Sequence, residues 1–168
     1  MPRRKKPGGM SIQDCRAYLA EHVGDFYAIA LEGRYAFGRM VRRGELACYD
    51  LMSPTILDLD AIEKAPILFI VPVMRDCFVS PGWQLLGNRP LAGELLKPVM
   101  HFREDPITGF VDIDEEGEFR PYADEDLSKL ERVAGWSAWH IESRLRDHFA
   151  GRPNQIVDRL KYKPRRAG

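Results

Sequence analysis

The carboxylates whose spacing could do chemistry lie in one short stretch, Asp112-Ile-Asp-Glu-Glu-Gly117. Three of its acidic residues take the first, third and fifth positions of a calcium-binding loop, and its glycine takes the sixth. The twelfth position of such a loop needs a bidentate glutamate, but this chain has Ala123 there. The flanking residues, 110–113 and 118–120, have the composition of strands. The stretch therefore indicates the tip of a β-hairpin, and we predict no metal site.

The other side chains that catalysis or metal binding commonly uses are scattered. His140 and His148 are eight residues apart on one predicted helix, whereas two histidines that chelate one ion from a helix are spaced i, i+4. Cys15, Cys48 and Cys77 have unrelated spacings that offer no disulfide framework, which is typical of a reducing cytoplasm. No recognised nucleophile, zinc-protease or phosphate-loop motif occurs. We predict neither a catalytic site nor a cofactor, and we expect the function to reside in a binding surface.

The net charge of zero conceals an uneven distribution along the chain. Residues 1–10 and 161–168 each hold four basic residues and no acidic one, which leaves 17 basic against 25 acidic residues, a net charge of −8, in residues 11–160. We expect two disordered basic tails around a single domain at 11–160. An acidic domain repels nucleic acid and attracts basic proteins. The longest apolar run, residues 65–74, is about half as long as a membrane helix, so we predict a cytoplasmic protein without a membrane segment.

Short apolar runs separated by turn residues dominate the first two thirds of the domain, after a short amphipathic helix at 11–22. Gly33 supplies the turn of the first hairpin, and Gly38 should permit the close approach of another backbone. One run is apolar on both faces, so we expect that strand, 67–73, to be central in its sheet. The predicted strands are 26–31, 35–41, 46–51, 67–73 and the hairpin strands within 99–120.

Helical patterns dominate the last third of the domain. A helix is predicted at 124–134 with acidic residues at its start, and another at 138–149 after Ser137 as N-cap. A short final helix follows Asn154. The fold class is therefore α+β and mostly β: a strongly bent antiparallel sheet or a small, partly open barrel, with the C-terminal helices packed on one side. The side chains predicted to be buried are Phe37, Ile67, Phe69, Val71, Leu145 and Phe149.

Five segments carry a resemblance to a known family. They begin at Gly24 (GDFYAIAL), Tyr35 (YAFGRMV), Pro66 (PILFIVPV), Trp83 (WQLLGNRPL) and Arg144 (RLRDHFAGRPN). Together they resemble immunity protein family 26 of bacterial polymorphic toxin systems, over about residues 24–160. The resemblance implies a mostly β protein without catalytic residues, which neutralises a toxin encoded by a neighbouring gene, often a nuclease.

The acidic residues of the domain are the predicted contacts with such a toxin. Nucleases are basic where they meet phosphates, and complementary charge steers association. A solvated turn and a helix start explain the same residues without any partner. Trp83 and Trp139 are further candidates as aromatic anchors. The predicted partner-binding residues are Asp112, Asp114, Glu115, Glu116, Glu118, Asp124, Glu125 and Asp126.

Two other classes of function stay open. A small metal-dependent hydrolase would use Asp112 and Asp114 with a third ligand such as His101. A nucleic-acid-binding β-barrel would combine the basic tails with an exposed aromatic and basic face, which the acidic charge of residues 11–160 argues against. A toxin gene beside this one would distinguish the immunity protein from both.

Overall fold

The computed structural model describes residues 12–165. The predicted tail at 1–10, the N-cap position 11 of the first predicted helix, and residues 166–168 of the second predicted tail lie outside the described residues. The first element is helix α1, Ile12–Glu21, as the amphipathic pattern predicts. None of the helices in residues 12–165 is long and apolar enough to cross a membrane.

Five antiparallel strands form the larger sheet, in the order β4-β3-β2-β1-β5. The strands are β1 (Asp25–Leu31), β2 (Arg34–Val41), β3 (Glu45–Ser53), β4 (Ile67–Pro72) and β5 (Trp83–Asn88). The turn between β1 and β2 uses Glu32 and Gly33, with φ of 47° and 81°, which is the positive φ that a tight hairpin requires. The predicted hairpin and the meander into β3 are confirmed.

The positions of β4 and β5 differ from the prediction. β4 is an edge strand and not a central one, because β3 is the one strand of the larger sheet that pairs with it in the described residues. Both faces of β4 are apolar because each of them packs against a core cluster. Phe69 belongs to one cluster, and Ile67 packs against the other. β5 occupies the opposite edge, in a stretch whose turn residues concealed a strand.

The larger sheet is buried on both faces. On one face Met40, Leu46 and Val71 pack against Ile141 and Leu145 of helix α3 (Ala138–Phe149), and helix α4 (Gln155–Leu160) adds partly buried residues. The other face packs against helix α2 (Leu59–Glu63). Among the side chains predicted to be buried, four are buried and two are half-buried: Phe37, Phe69, Val71 and Leu145, then Ile67 and Phe149.

The neighbour of Gly38 is a side chain. A Cβ at this position would lie 3.0 Å from Cδ1 and 3.2 Å from Cδ2 of Leu46, so the prediction of a close backbone is wrong. Gly38 instead makes room for Leu46, which is fully buried in the core cluster beneath the sheet.

A second, smaller sheet has the order β8-β7-β6-β9. Its strands are β6 (Met100–Glu104), β7 (Val111–Glu115), β8 (Glu118–Pro121) and β9 (Glu131–Arg132). The β6–β7 hairpin and its continuation into β8 are confirmed, and β9 adds a short parallel pairing with β6. The predicted fold class, α+β and mostly β, is confirmed; the strands are divided between two sheets, and neither sheet is closed into a barrel.

The predicted helix at 124–134 is wrong. The chain forms a short 3-10 turn, Leu127–Lys129, and then the strand β9. Tertiary contacts decide this: Leu127 is buried against the smaller sheet, and the amide of Val133 donates to the carbonyl of Phe102 on β6. The side chain of Asp126 accepts from the amide of Ser128, so it caps a turn instead of a helix.

The two C-terminal helices are confirmed. The amide of Ser137 donates to Nδ1 of His140 at 3.3 Å as part of a capping box at the start of α3. The Oδ1 atom of Asn154 accepts from the amides of Ile156 and Val157 at the start of α4, both at 3.1 Å.

One hydrogen bond and one ion pair link the two sheets. His101 on β6 lies 2.6 Å from the carboxylate of Glu45 on β3. Arg42, in the turn between β2 and β3, lies 2.9 Å from Glu116 at the tip of the β7–β8 hairpin. The hairpin tip is thus fixed relative to the larger sheet.

Candidate partner-binding surface

A tight turn connects β7 to β8. Glu116 and Gly117 have φ of 55° and 85°, and the side chain of Asp114 accepts a hydrogen bond from the amide of Gly117 at 2.7 Å. This is a two-residue hairpin turn held by an aspartate side chain. The predicted hairpin tip is confirmed, and the carboxylate of Asp114 has a structural role in it.

Five of the eight predicted acidic residues form ion pairs within the chain. They are Asp112 with Arg103 (2.5 Å), Glu115 with Arg120 (3.7 Å), Glu116 with Arg42 (2.9 Å), Glu125 with Arg120, and Asp126 with Lys129 (3.2 Å). Glu118 and Asp124 form no hydrogen bond or ion pair through their side chains within residues 12–165. The least compensated negative charge therefore lies on β8 and on the loop that follows it.

The predicted residues do not share one face of the smaller sheet. Successive side chains of a strand point to opposite faces, and Ile113 points into the small core. Asp112 and Asp114 therefore project from the outer face, whereas Glu115 and Glu118 lie on the side of Ile113.

The last two predicted residues are held in the loop before β9. Hydrogen bonds from the backbone amides of Ala123 and Glu125, together with the Arg120 guanidinium, lower the pKa of Glu125 to about 2. Hydrogen bonding from the side chains of Ser128 and Lys129 lowers the pKa of Asp126. Both carboxylates are thus charged at neutral pH, but they are already satisfied locally.

The outer face also presents two aromatic side chains that the sequence pattern placed in strands but did not identify as exposed. Phe119, opposite Asp114, is 46 % exposed, and the guanidinium of Arg103 lies 4.0 Å above its ring. Phe110, which precedes β7, is 55 % exposed. Phe110, Asp112 and Asp114 alternate along the sequence, and this spacing could have predicted that Phe110 lies on the same face as the two aspartates.

An open depression of about 640 Å3 lies at the end of the β6–β7 hairpin, lined by residues 103–106, 108, 110 and 112. Ile107, in the loop beside it, is 86 % exposed. We call the outer face of the smaller sheet together with this loop the acidic-aromatic surface; its members are Arg103, residues 105–110, Asp112, Asp114 and Phe119. Aromatic residues combined with charged neighbours are the composition of protein-binding surfaces.

The two tryptophans differ in exposure. Trp83 is buried, and its Nε1 donates to Glu142 on α3 at 3.0 Å, so it is a core residue. Trp139, near the start of α3, is 60 % exposed, with its ring 3.9 Å from that of His140.

The residues required by the hydrolase alternative are engaged elsewhere. Asp112 pairs with Arg103, Asp114 holds the hairpin turn, and His101 pairs with Glu45. In the part of the chain that the structure describes, no group of three or more histidine, cysteine, aspartate or glutamate side chains is arranged to hold a metal ion. Burial raises the pKa of the Cys77 thiol to about 12 and raises that of Cys48 as well, so both are protonated at neutral pH.

One comparison with known proteins gives a match. A family model described as immunity protein 26 matches residues 22–109, which is 88 of the 168 residues. No curated protein and no solved structure matches the chain. The matched residues contain the whole larger sheet and β6. All eight predicted acidic residues, and the segment that begins at Arg144, lie outside them.

Proposed function

The chain belongs to the immunity protein 26 family, and on that premise we propose that it binds and blocks a cognate bacterial toxin domain. Membership over residues 22–109 is the observation that carries the proposal. An immunity protein acts by occupying a surface of its toxin, so it needs a rigid scaffold and a contact surface but no turnover of its own. The larger sheet, buried on both faces, supplies such a scaffold.

We propose further that the toxin is a nuclease that meets the chain in the cytoplasm. The net charge of −8 over residues 11–160 complements the basic surface with which a nuclease contacts phosphates. Opposite charge accelerates association, which favours capture of the toxin before it damages the producing cell.

The contact surface that we propose combines the acidic-aromatic surface with the acidic residues of the β7–β8 hairpin tip and of the loop after β8; Glu115 and Glu118 enter it from the other face of the smaller sheet. Phe110 and Phe119 offer apolar contact area that the chain does not cover. Glu118 and Asp124 offer negative charge without an internal partner among the described residues. The carboxylates with internal partners contribute less, because a partner must first replace their existing ion pairs.

The test is co-expression with the toxin domain encoded beside this gene. We expect a stable complex with a Kd of about nanomolar or below and inhibition of the toxin's nuclease activity. Charge reversal in Glu118→Lys/Asp124→Lys should slow association by about tenfold at low salt, and the difference should shrink as salt is added. The matched control is Glu32→Lys, in the β1–β2 turn of the larger sheet, where the carboxylate is exposed and makes only a 3.5 Å pair with Arg146.

Three results would contradict these proposals. Absence of any complex would remove the immunity function. A complex that forms equally fast with the double charge-reversal variant would move the contact surface elsewhere on the domain. Hydrolysis of a nucleotide or ester by the purified chain, abolished by Asp112→Ala, would favour the hydrolase alternative.

A further inference from the structure

The loop between β6 and β7 surrounds the side chain of Arg165 with acceptors. The guanidinium donates to the carbonyl of Ile107 at 3.2 Å, of Asp105 at 3.3 Å and of Pro106 at 3.0 Å. Its Nε lies 3.5 Å from the carboxylate of Glu104. Three backbone carbonyls and one carboxylate therefore converge on a single guanidinium.

The loop holds this arrangement through its own hydrogen bonds. The carboxylate of Asp105 accepts from the amides of Ile107 and Thr108, at 2.9 and 2.7 Å, and the carbonyl of Asp105 accepts from the amide of Gly109 at 2.9 Å. The hydroxyl of Thr108 accepts from the amide of Phe110 at 3.2 Å. The carbonyls that face Arg165 are thus positioned by the loop itself, and not by the arginine.

Gly109 makes the space in which the guanidinium lies. A Cβ at this position would be 2.6 Å from Nε and 2.8 Å from Cζ of Arg165. The glycine also has φ of +75°, which the turn requires. We call the carbonyls of residues 105–107, the carboxylate of Glu104 and the surface over Gly109 the arginine cradle. A planar guanidinium with five donors matches several fixed acceptors, whereas an ammonium group presents a single compact charge.

Arg165 stays accessible to solvent although it has several acceptors. Its side chain is 51 % exposed, and its bonds to the three carbonyls, at 3.0–3.3 Å, lie at the long end of the ordinary N–H···O range. Glu104 also pairs with Arg132, at 3.2 Å. Ile107, beside the cradle, stays 86 % exposed. Arg165 therefore occupies the cradle without covering the apolar side chain next to it.

We propose that the arginine cradle is a recognition site for an arginine side chain of the toxin, and that Arg165 occupies it until the toxin binds. This inference rests on the proposed function. The incoming arginine would take over the same carbonyls, and the toxin surface around it would bury Ile107 and Phe110. Arginine is among the residues that most often anchor an interface, where it lies in a pocket from which the surrounding contacts exclude water.

The first experiment tests the cradle without the toxin. Arg165→Ala empties it, and Lys163→Ala, in the same segment, is the matched control. The probe is Nα-acetyl-arginine N-methylamide, with the lysine analogue for comparison, and the readout is the amide NMR shifts of residues 107–109. In Arg165→Ala we expect shifts with the arginine analogue that are about fivefold larger than in the wild type or Lys163→Ala, where Arg165 competes at a high effective concentration. The lysine analogue should shift these amides much less.

The second experiment tests the occupant with the toxin domain encoded beside this gene. Arg165→Ala should bind this domain at least as tightly as the wild type does, Lys163→Ala should bind it equally, and Ile107→Asp should bind about tenfold more weakly. Absence of the arginine-specific NMR shifts, or weaker toxin binding by Arg165→Ala, would show that Arg165 only fastens the end of the chain and would overturn this inference alone. If no variant bound the toxin, the proposed function and the identity of the occupant would fail, while the NMR result would still decide whether the cradle recognises arginine.

Discussion

The two sheets of this protein are buried to very different extents. The larger sheet packs on both faces, and its two core clusters contain most of the buried hydrophobic residues of the described chain. The smaller sheet has one cluster, in which Phe102, Ile113 and Leu127 are the buried members. Its outer face leaves Phe119 and Arg103 in solvent.

We propose that this difference separates stability from recognition. Buried apolar area is the main favourable contribution to folding, so the larger sheet sets the stability of the domain. Uncovered aromatic residues contribute little to folding but are available to a partner. The family match contains the whole larger sheet and β6 of the smaller sheet, and it stops before β7.

The strongest test of this division exchanges one aromatic residue in each sheet for alanine. Phe37 is fully buried in the larger sheet, so Phe37→Ala should destabilise the protein by about 3–5 kcal/mol. Phe119 is 46 % exposed, so Phe119→Ala should cost less than about 1 kcal/mol, mainly through its contact with Arg103. Urea unfolding of both variants measures the difference. Equal costs would show that the smaller sheet contributes as much to stability as the larger one.

The same variants should reverse their order in binding. Phe119→Ala should weaken the complex with the toxin domain, whereas any residual folded Phe37→Ala should bind normally. Weak binding by Phe37→Ala under conditions in which it is fully folded would contradict the separation.

Local patterns predicted the elements that depend on nearby residues. The β1–β2 hairpin follows from strand alternation around Gly33, and α3 follows from its apolar face after Ser137. The helix expected at 124–134 failed because β9 gains its hydrogen bonds from β6, about 30 residues earlier in the chain. A tertiary partner of this kind overrides a short local preference.

The candidate surface was predicted only in part for a similar reason. The acidic stretch is visible in the sequence, but its ion pairs are not. Arg120 lies within the stretch, whereas Arg42 is more than 70 residues from its partner Glu116. The expectation that residues 67–73 form a central strand was wrong for a different reason. Apolar residues on both faces of a strand indicate that both faces are buried, but here helices packed on the sheet bury them, and the strand itself lies at an edge. The arginine cradle depends on backbone carbonyls, which carry no sequence signature.

A second prediction concerns how tightly the larger sheet is packed. Gly38→Val should destabilise by about 1–3 kcal/mol, because the new side chain would meet Leu46 at 3.0–3.2 Å. The double variant with Leu46→Ala should cost less than the sum of the two single changes, since the smaller residue gives back the space. Thermal unfolding of the three variants provides the comparison. Additive effects would show that Leu46 is not what Gly38 accommodates.

The smallest expected effect compares two carboxylates with lowered pKa values, one beside each sheet. Partial burial acts to raise the pKa of Glu63, but hydrogen bonds from Arg89 and from the fully buried Arg39 outweigh it and lower this pKa. A lowered pKa in the folded state contributes stability above the unfolded value of about 4.3, and this contribution is lost as the pH falls through the folded value. Glu63→Gln should therefore cost about 1 kcal/mol near pH 7, with solvent exposure of the glutamate limiting the effect.

The cost of Glu63→Gln should shrink as the pH falls below the unfolded value of about 4.3, and it should disappear once the pH lies below the lowered folded pKa, where the wild-type carboxyl is also protonated. Glu125 beside the smaller sheet has a pKa lowered to about 2, but the hydrogen bonds that lower it come from the backbone of its own loop and from Arg120 on β8, so they do not connect it to the larger sheet. Glu125→Gln should therefore change stability less than Glu63→Gln does at neutral pH, although its pKa is strongly lowered. Urea unfolding of both variants between about pH 3 and 7, which is roughly the range of carboxyl titration, measures this difference. A larger loss for Glu125→Gln would mean that the loop before β9 stabilises the fold, and that the smaller sheet is more than a surface for recognition.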